Sequence, residues 1–396
     1  MKIWLRKILR VYRDPNLVRS HPKYMATRDR SFWYFTYPLI WVYTLYRLRA
    51  RLRPRGDEGL NNDNSQAKLY GCMFYTPRHE SEGMGGQVIK WASVYQFAKH
   101  LGLKFVHYGI TKSVHSPEVD WERVLGLGIG ESEEVSNSIR QKYQLIYGIP
   151  PLIEGADGVV RAFGNPIDLK SLRKTISFFE SKNTAFHLGN TSSSYYVTKI
   201  GRVLSDKILH SLPVYAKGER PKKLVVAVHV RRGDVTQLAR HNSQEKANRW
   251  LSADYYKRIL QELSSLLDPH QMICNIFTDD PELAFDDFIP TNINYKVCPN
   301  RLQDNESVRD FAGIIFADVI VMGASSYSYV AAIVSESIVI ARHPWVHDIP
   351  STGRWIRASR EGEIDLADAR RKLAQHIESK THLKSTTIHS SGISAQ

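Results

Sequence analysis

Between residues 221 and 342, short apolar runs rich in Val and Ile alternate with stretches whose apolar residues recur every three or four positions. PKKLVVAVHV (221–230) is β-branched and apolar, which predicts a buried strand. SADYYKRILQELSSLL (252–267) sets Tyr255, Ile259, Leu263 and Leu266/Leu267 on one stripe, which predicts an amphipathic helix with Ser252 as its N-cap. MICNIF (272–277) predicts a strand, SVRDFAGIIFA (307–317) a helix and DVIVM (318–322) a strand. YSYVAAIVS (327–335) then predicts a helix and ESIVIAR (336–342) a further strand. Strands and helices in strict alternation predict an α/β fold with a parallel, doubly wound sheet.

The first half carries the same signal more faintly. KLYGCMFYTP (68–77) predicts a strand, and Gly83, Gly85 and Gly86 a tight turn. Val88, Trp91, Ala92, Tyr95 and Ala98 then recur at helical spacing, so Gln87 to Leu101 predicts a helix, capped by Gly102 and followed by the strand KFVHYG. A glycine turn before a helix can offer backbone N–H groups to a ligand or simply tighten the chain. The glycine spacing is not the dinucleotide fingerprint, and no acidic residue closes the second strand, which argues against a nicotinamide cofactor. Residues 110–215 are less patterned, with helices predicted around 132–145 and 167–180.

Ligands of parallel sheets bind at the carboxyl ends of strands. Three polar clusters fall there: His229-Val230-Arg231-Arg232-Gly233-Asp234, Thr278-Asp279-Asp280 and Gly323-Ala324-Ser325-Ser326. Two arginines at the end of a buried strand call for a negative partner. The last cluster opens a helix, where hydroxyls and the helix dipole favour a phosphate that the arginines can hold bidentately. A diphosphate satisfies both.

Charge changes the picture only once it is located. The chain of 396 residues carries +14, but residues 1–55 hold fourteen Lys/Arg against Asp14 and Asp29, a net of +12. The remainder is close to neutral, so no nucleic-acid surface is implied. The basic arm also holds SFWYFTYPLIWVYTLYRL (31–48), uncharged until Arg47 and crowded with aromatic residues. Such a segment suits the headgroup layer of an anionic membrane, spans it, or packs as a helix on the body or a partner. Three scattered cysteines (Cys72, Cys274, Cys298) give neither a disulfide framework nor a zinc site, and no metal-ligand spacing stands out. The expected organisation is an arm and linker over 1–66, an α/β lobe over 67–215, a Rossmann-like lobe over 216–380 and a disordered tail over 381–396.

HVRRGD, together with EGMGGQ, SADYYKRILQEL…IFTDD and DFAGIIFADVIVMGASSYSYVAA, resembles the fucosyltransferase superfamily that shares an H-x-R-R-x-D motif (α1,2-, α1,6- and O-fucosyltransferases). The resemblance spans roughly residues 70–345. It implies a GT-B type fold of two Rossmann-like lobes, GDP-fucose as co-substrate with no cofactor, a glycan acceptor, inversion at the anomeric carbon and no metal. Carried over by motif, His229 and Asp310 would contact guanine, and Arg231 would bind the β-phosphate and stabilise departing GDP. Ser325, Ser326 and Tyr327 would line the phosphates, with Arg232, Gly85, Gly86 and Gln87 completing the donor site. Asp234, Asp279 and Asp280 would hold the motif loops or the acceptor. The general base stays open among Asp234, His241 and Glu245. SSYSYV stands where α1,2 enzymes usually read SSFSWW, and GMGGQ where GLGNQ is common. Linkage and acceptor therefore stay open too. Two other readings are an inactive glycan- or nucleotide-binding member of the fold and a transferase using another nucleotide sugar. With the arm, the resemblance implies a membrane-associated protein, on the cytoplasmic face in a bacterium or a type II protein of the Golgi lumen in a eukaryote.

Overall fold

The structure is a computed structural model. It describes residues 70–72, 83–101, 104–107, 109–110, 113–133, 144–149, 152–154, 159–162, 165–166, 184–188, 198–212, 223–233, 235–236, 249–280, 282–283, 285–299, 306–345, 347, 349–350 and 353–390. The basic arm, the linker and the helix expected over 167–180 lie outside the described residues, as do Asp234, His241 and Glu245.

The first sheet contains β1 (Tyr70–Cys72), β2 (Lys104–His107), β3 (Ser132–Glu133), β4 (Gln144–Ile149) and, after a small antiparallel sheet, β8 (Thr184–Leu188). Its order is β3-β2-β1-β8-β4, and its neighbours pair in parallel. The small sheet is β5 (Leu152–Glu154), β6 (Val160–Ala162) and β7 (Asn165–Pro166). Helix α1 (Met84–Leu101) connects β1 to β2, and α2 (Trp121–Leu125) follows β2. Two expectations are corrected here. Residues 132–145 are not one helix, because β3 occupies their start and β4 begins at Gln144. Gly85 and Gly86 are not in a turn before the helix but in its first turn, with the Gly83 carbonyl accepting from the amides of Gly86 (3.1 Å) and Gln87 (3.3 Å). Glycine is a poor helix former, so tertiary contact must explain Gly85, and it does below.

Trp91 Nε1–H donates to His107 Nδ1 at 2.9 Å, which leaves the ring proton on Nε2 to donate to Glu122 at 2.7 Å. Glu122 also accepts from the amides of Ile110 and Gly128, so α1, β2 and α2 are bolted together by one carboxylate.

The second sheet follows α3 (Gly201–Ser211). Its strands are β9 (Leu224–Val230), β10 (Met272–Thr278), β11 (Tyr295–Pro299), β12 (Val319–Val321), β13 (Ile338–Arg342) and β14 (Trp355–Ala358). Helices α4 (Ala253–Leu266), α5 (Glu306–Ile315), α6 (Ser326–Val334) and α7 (Leu366–Ser390) complete it. The order β11-β10-β9-β12-β13-β14 is parallel throughout. Counted from β9 it reads 3-2-1-4-5-6, the doubly wound order whose direction reverses between β9 and β12. Every residue from Val226 to Val230 is buried, as a central strand covered on both faces requires. Ser252 caps α4 as expected, its hydroxyl accepting from the Tyr255 amide at 3.2 Å. The stripe Tyr255, Ile259 and Leu263 is fully buried in the core under the sheet.

The tail is a third correction. Helix α7 runs on to Ser390, through ten of the residues expected to be disordered. No Gly or Pro interrupts the sequence from Leu366 to Ser390, and Ser and Thr cost a helix only a few tenths of a kcal/mol each (about 0.5). Among the described residues no helix is long and apolar enough to cross a membrane.

Candidate active site

The reversal point of the second sheet opens into a cleft of about 720 Å³. Its floor comes from the carboxyl ends of β9 and β10 and from the N-terminus of α6. Its opposite wall comes from the start of α1 and from Ser113–Ser116.

Gly85 shows how the walls are joined. A Cβ there would lie 2.4 Å from the Ser326 carbonyl carbon and oxygen and 2.6 Å from the Tyr327 amide nitrogen. Only a glycine lets the first turn of α1 rest directly on the backbone that opens α6. Gly323 does the same for β9, since a Cβ there would meet the His229 carbonyl oxygen at 2.5 Å. Trp121 of α2 closes the join, its ring edge-on to Phe311 at 5.9 Å and to Tyr327 at 6.3 Å.

His229, Arg231, Asp279, Asp310, Ser325, Ser326, Tyr327, Gly85 and Gly86 all line this cleft. His229 is buried, and burial beside Arg231 lowers its pKa to about 3, so the ring is neutral at physiological pH. Its Nδ1 lies against Gly323 and meets no hydrogen-bond partner among the described residues. Asp310 on α5 is driven the other way. Burial, reinforced by Glu306, raises its carboxyl from 3.8 to about 7. Ser325 is the N-cap of α6, its hydroxyl accepting from the Tyr327 amide at 3.3 Å. Tyr327 donates its phenol to the Ser307 carbonyl at 2.5 Å, and burial raises its pKa.

Three expected residues are placed elsewhere. Arg232 is turned away from the cleft, 3% exposed. Its guanidinium sits 5.0 Å from the Trp250 ring and 5.1 Å from the Phe288 ring, and donates to the Arg231 carbonyl at 3.1 Å. Successive residues at a strand end point to opposite faces, so only one of the two arginines can reach the cleft. Gln87, in the first turn of α1, is fully buried and does not line the cleft. Asp280 binds back on Thr278, whose hydroxyl accepts from its amide at 3.0 Å. Asp279, although at the cleft edge, accepts from the Arg232 amide at 2.6 Å and holds the HVRRG segment in place.

The cleft also contains residues that pattern reasoning missed. Lys90 follows Gly86 by one helical turn, a spacing that could have found it. His347 and Trp345 follow β13, where the strand-end rule could have been applied again. Ser326 and His347 Nε2 share a hydrogen bond of 2.9 Å, and burial near Arg249 lowers the His347 pKa to about 4. His115 had no signal at all. It faces Arg231, whose Nη2–H donates to its Nε2 at 3.2 Å.

Lys90, Arg231 and Arg249 thus line the same cleft as the N-terminus of α6, together with the largely buried Asp310. This arrangement suits a ligand with a polyanionic middle and a hydrogen-bonding base at one end. Among the described residues no three His, Cys, Asp or Glu are grouped to hold a metal ion.

No family model matches the sequence, and no curated protein matches it. Among solved structures, the crystal structure of POFUT1 in complex with GDP-fucose is similar at 13% identity and a TM-score of 0.39, over 74% of this chain and 98% of that one.

Proposed function

We propose that this chain is a glycosyltransferase that moves L-fucose from GDP-fucose to a glycan acceptor, with inversion and without a metal ion. The observation that carries the reading is the convergence of Arg231, the N-terminus of α6 and Asp310 on one cleft at the reversal point of a 3-2-1-4-5-6 sheet. In this reading the diphosphate lies between Arg231 and Ser325–Ser326. Guanine lies against His229 and Asp310, the ionised carboxylate accepting from its N–H edge. As the bond from the anomeric carbon to oxygen breaks, the electron pair goes to the β-phosphate. Arg231 meets that growing charge without reorganising, so it stabilises the transition state more than the ground state. Arginine and helix dipole supply the positive field that Mg²⁺ supplies in other transferases. The basic aromatic arm holds the enzyme at an anionic membrane surface.

Calorimetry with GDP, UDP and ADP, with and without EDTA, tests this. Selective GDP binding unaffected by EDTA is expected, together with GDP release from GDP-fucose. Preference for another base would point to a different nucleotide sugar. Tight GDP binding without any turnover would point to a binding module.

A further inference from the structure

His115 is displayed in an unusual setting. It is exposed, yet both serines around it are buried, Ser113 at 2% and Ser116 at 4%. The Ser113 hydroxyl accepts from the Met84 amide at 3.2 Å, and the Ser116 hydroxyl accepts from Trp121 Nε1–H at 2.8 Å. A Cβ on Gly83 would come within 3.1 Å of the His115 ring. The imidazole is thus held on a short, doubly anchored bend at the cleft wall opposite β9. A guanidinium can only donate, so its bond from Arg231 fixes Nε2 as the acceptor and puts the ring proton on Nδ1. A neutral imidazole with a defined lone pair aimed into a cleft is what a base needs.

We propose that His115 is the general base of the transfer, and that Arg231 holds its lone pair until the donor arrives. The inference rests on the transferase reading above. When the diphosphate engages the Arg231 guanidinium, the Arg231–His115 bond is given up and Nε2 becomes available beside the sugar. The acceptor hydroxyl then attacks the anomeric carbon and its proton passes to Nε2. The new carbon–oxygen bond forms as the bond to the β-phosphate oxygen breaks, and GDP leaves with the electron pair. Donor binding thereby switches on the base, and the donor binds before the acceptor.

Water can stand in for the acceptor, so the test is GDP release from GDP-fucose, run beside calorimetry with GDP. His115→Ala removes a competitor for Arg231 as well as the base. It should bind GDP about two- to tenfold more tightly, the scale of one net hydrogen bond, while GDP release falls at least roughly a hundredfold. Added imidazole should restore part of that loss. His115→Gln offers Arg231 an acceptor but no base, so its GDP affinity should stay near that of the parent while its turnover falls as far. A merely structural His115 would weaken binding and turnover together, with no rescue. That result in both variants, or near-parental GDP release in either, overturns the proposal. If the unaltered chain binds no GDP, the transferase reading fails first and the base falls with it.

Discussion

Gly85→Ala separates local propensity from tertiary contact. In a helix interior, alanine in place of glycine gains at most about 1 kcal/mol, and less in a first turn. Against this, the new methyl would lie 2.4 Å from the Ser326 carbonyl group and 2.6 Å from the Tyr327 amide. Carbon atoms in contact sit about 3.5–4.0 Å apart, so α1 and α6 must separate by roughly 1 Å. Both partners are backbone, so no rotamer change can absorb the shift. Overpacking of this kind costs about 1–3 kcal/mol, and the upper half of that range applies where backbone must move. The net expectation is a loss of about 1.5–2.5 kcal/mol in urea unfolding. The N-terminus of α6 moves with Ser326, and a displacement near 1 Å at a reacting centre can cost about a hundredfold in turnover. Gly201→Ala is the control. Its Cβ would meet an Ile333 methyl at 3.3 Å, a side-chain atom that can yield, so stability should stay within about 0.5 kcal/mol. A Gly85→Ala protein at least as stable as its parent, with unchanged GDP affinity, would refute the argument that this glycine is held by contact with α6.

Arg231→Lys keeps the charge but loses the planar fork; it should fold normally, bind GDP only modestly less well and lose at least roughly a hundredfold in GDP release. Asp310 has two opposite pH signatures. Its folded pKa of about 7 exceeds the ordinary 3.8, so its contribution to stability is full below the ordinary value and is lost as pH rises through 7. Asp310→Asn should therefore resist urea better than the parent above that pH, by at most about 4 kcal/mol. GDP affinity of the parent should instead rise from about pH 6 to about pH 8, as the carboxylate ionises to accept from guanine, and the variant should lose that slope in calorimetry. Removing residues 1–55 should leave a chain that still binds GDP but no longer sediments with anionic vesicles; undiminished sedimentation would contradict membrane docking by the arm.

The periodicity of the second half was enough to place β9, β10, β12 and β13 and the helices between them, because burial on both faces or along one stripe leaves its mark within a few consecutive residues. The same local rule put HVRRGD, TDD and GASS at strand ends, and the described residues of all three, His229–Gly233 among them, lie around the reversal between β9 and β12 or beside it. Periodicity could not decide which face of a strand end looks onto a ligand. Arg231 and Arg232 are chemically identical neighbours, and only the packing of Trp250 and Phe288 against Arg232 shows which one is left for the cleft. Nor could a local pattern tell a glycine turn from a glycine contact, since the partner of Gly85 is Ser326, far away in sequence though adjacent in the fold. His115 was the least legible residue. It sits in an unpatterned stretch, and its significance comes from Arg231, 116 positions away in sequence. Charge and periodicity are written along the chain, whereas a cleft with two walls exists only once segments far apart in sequence are folded against each other.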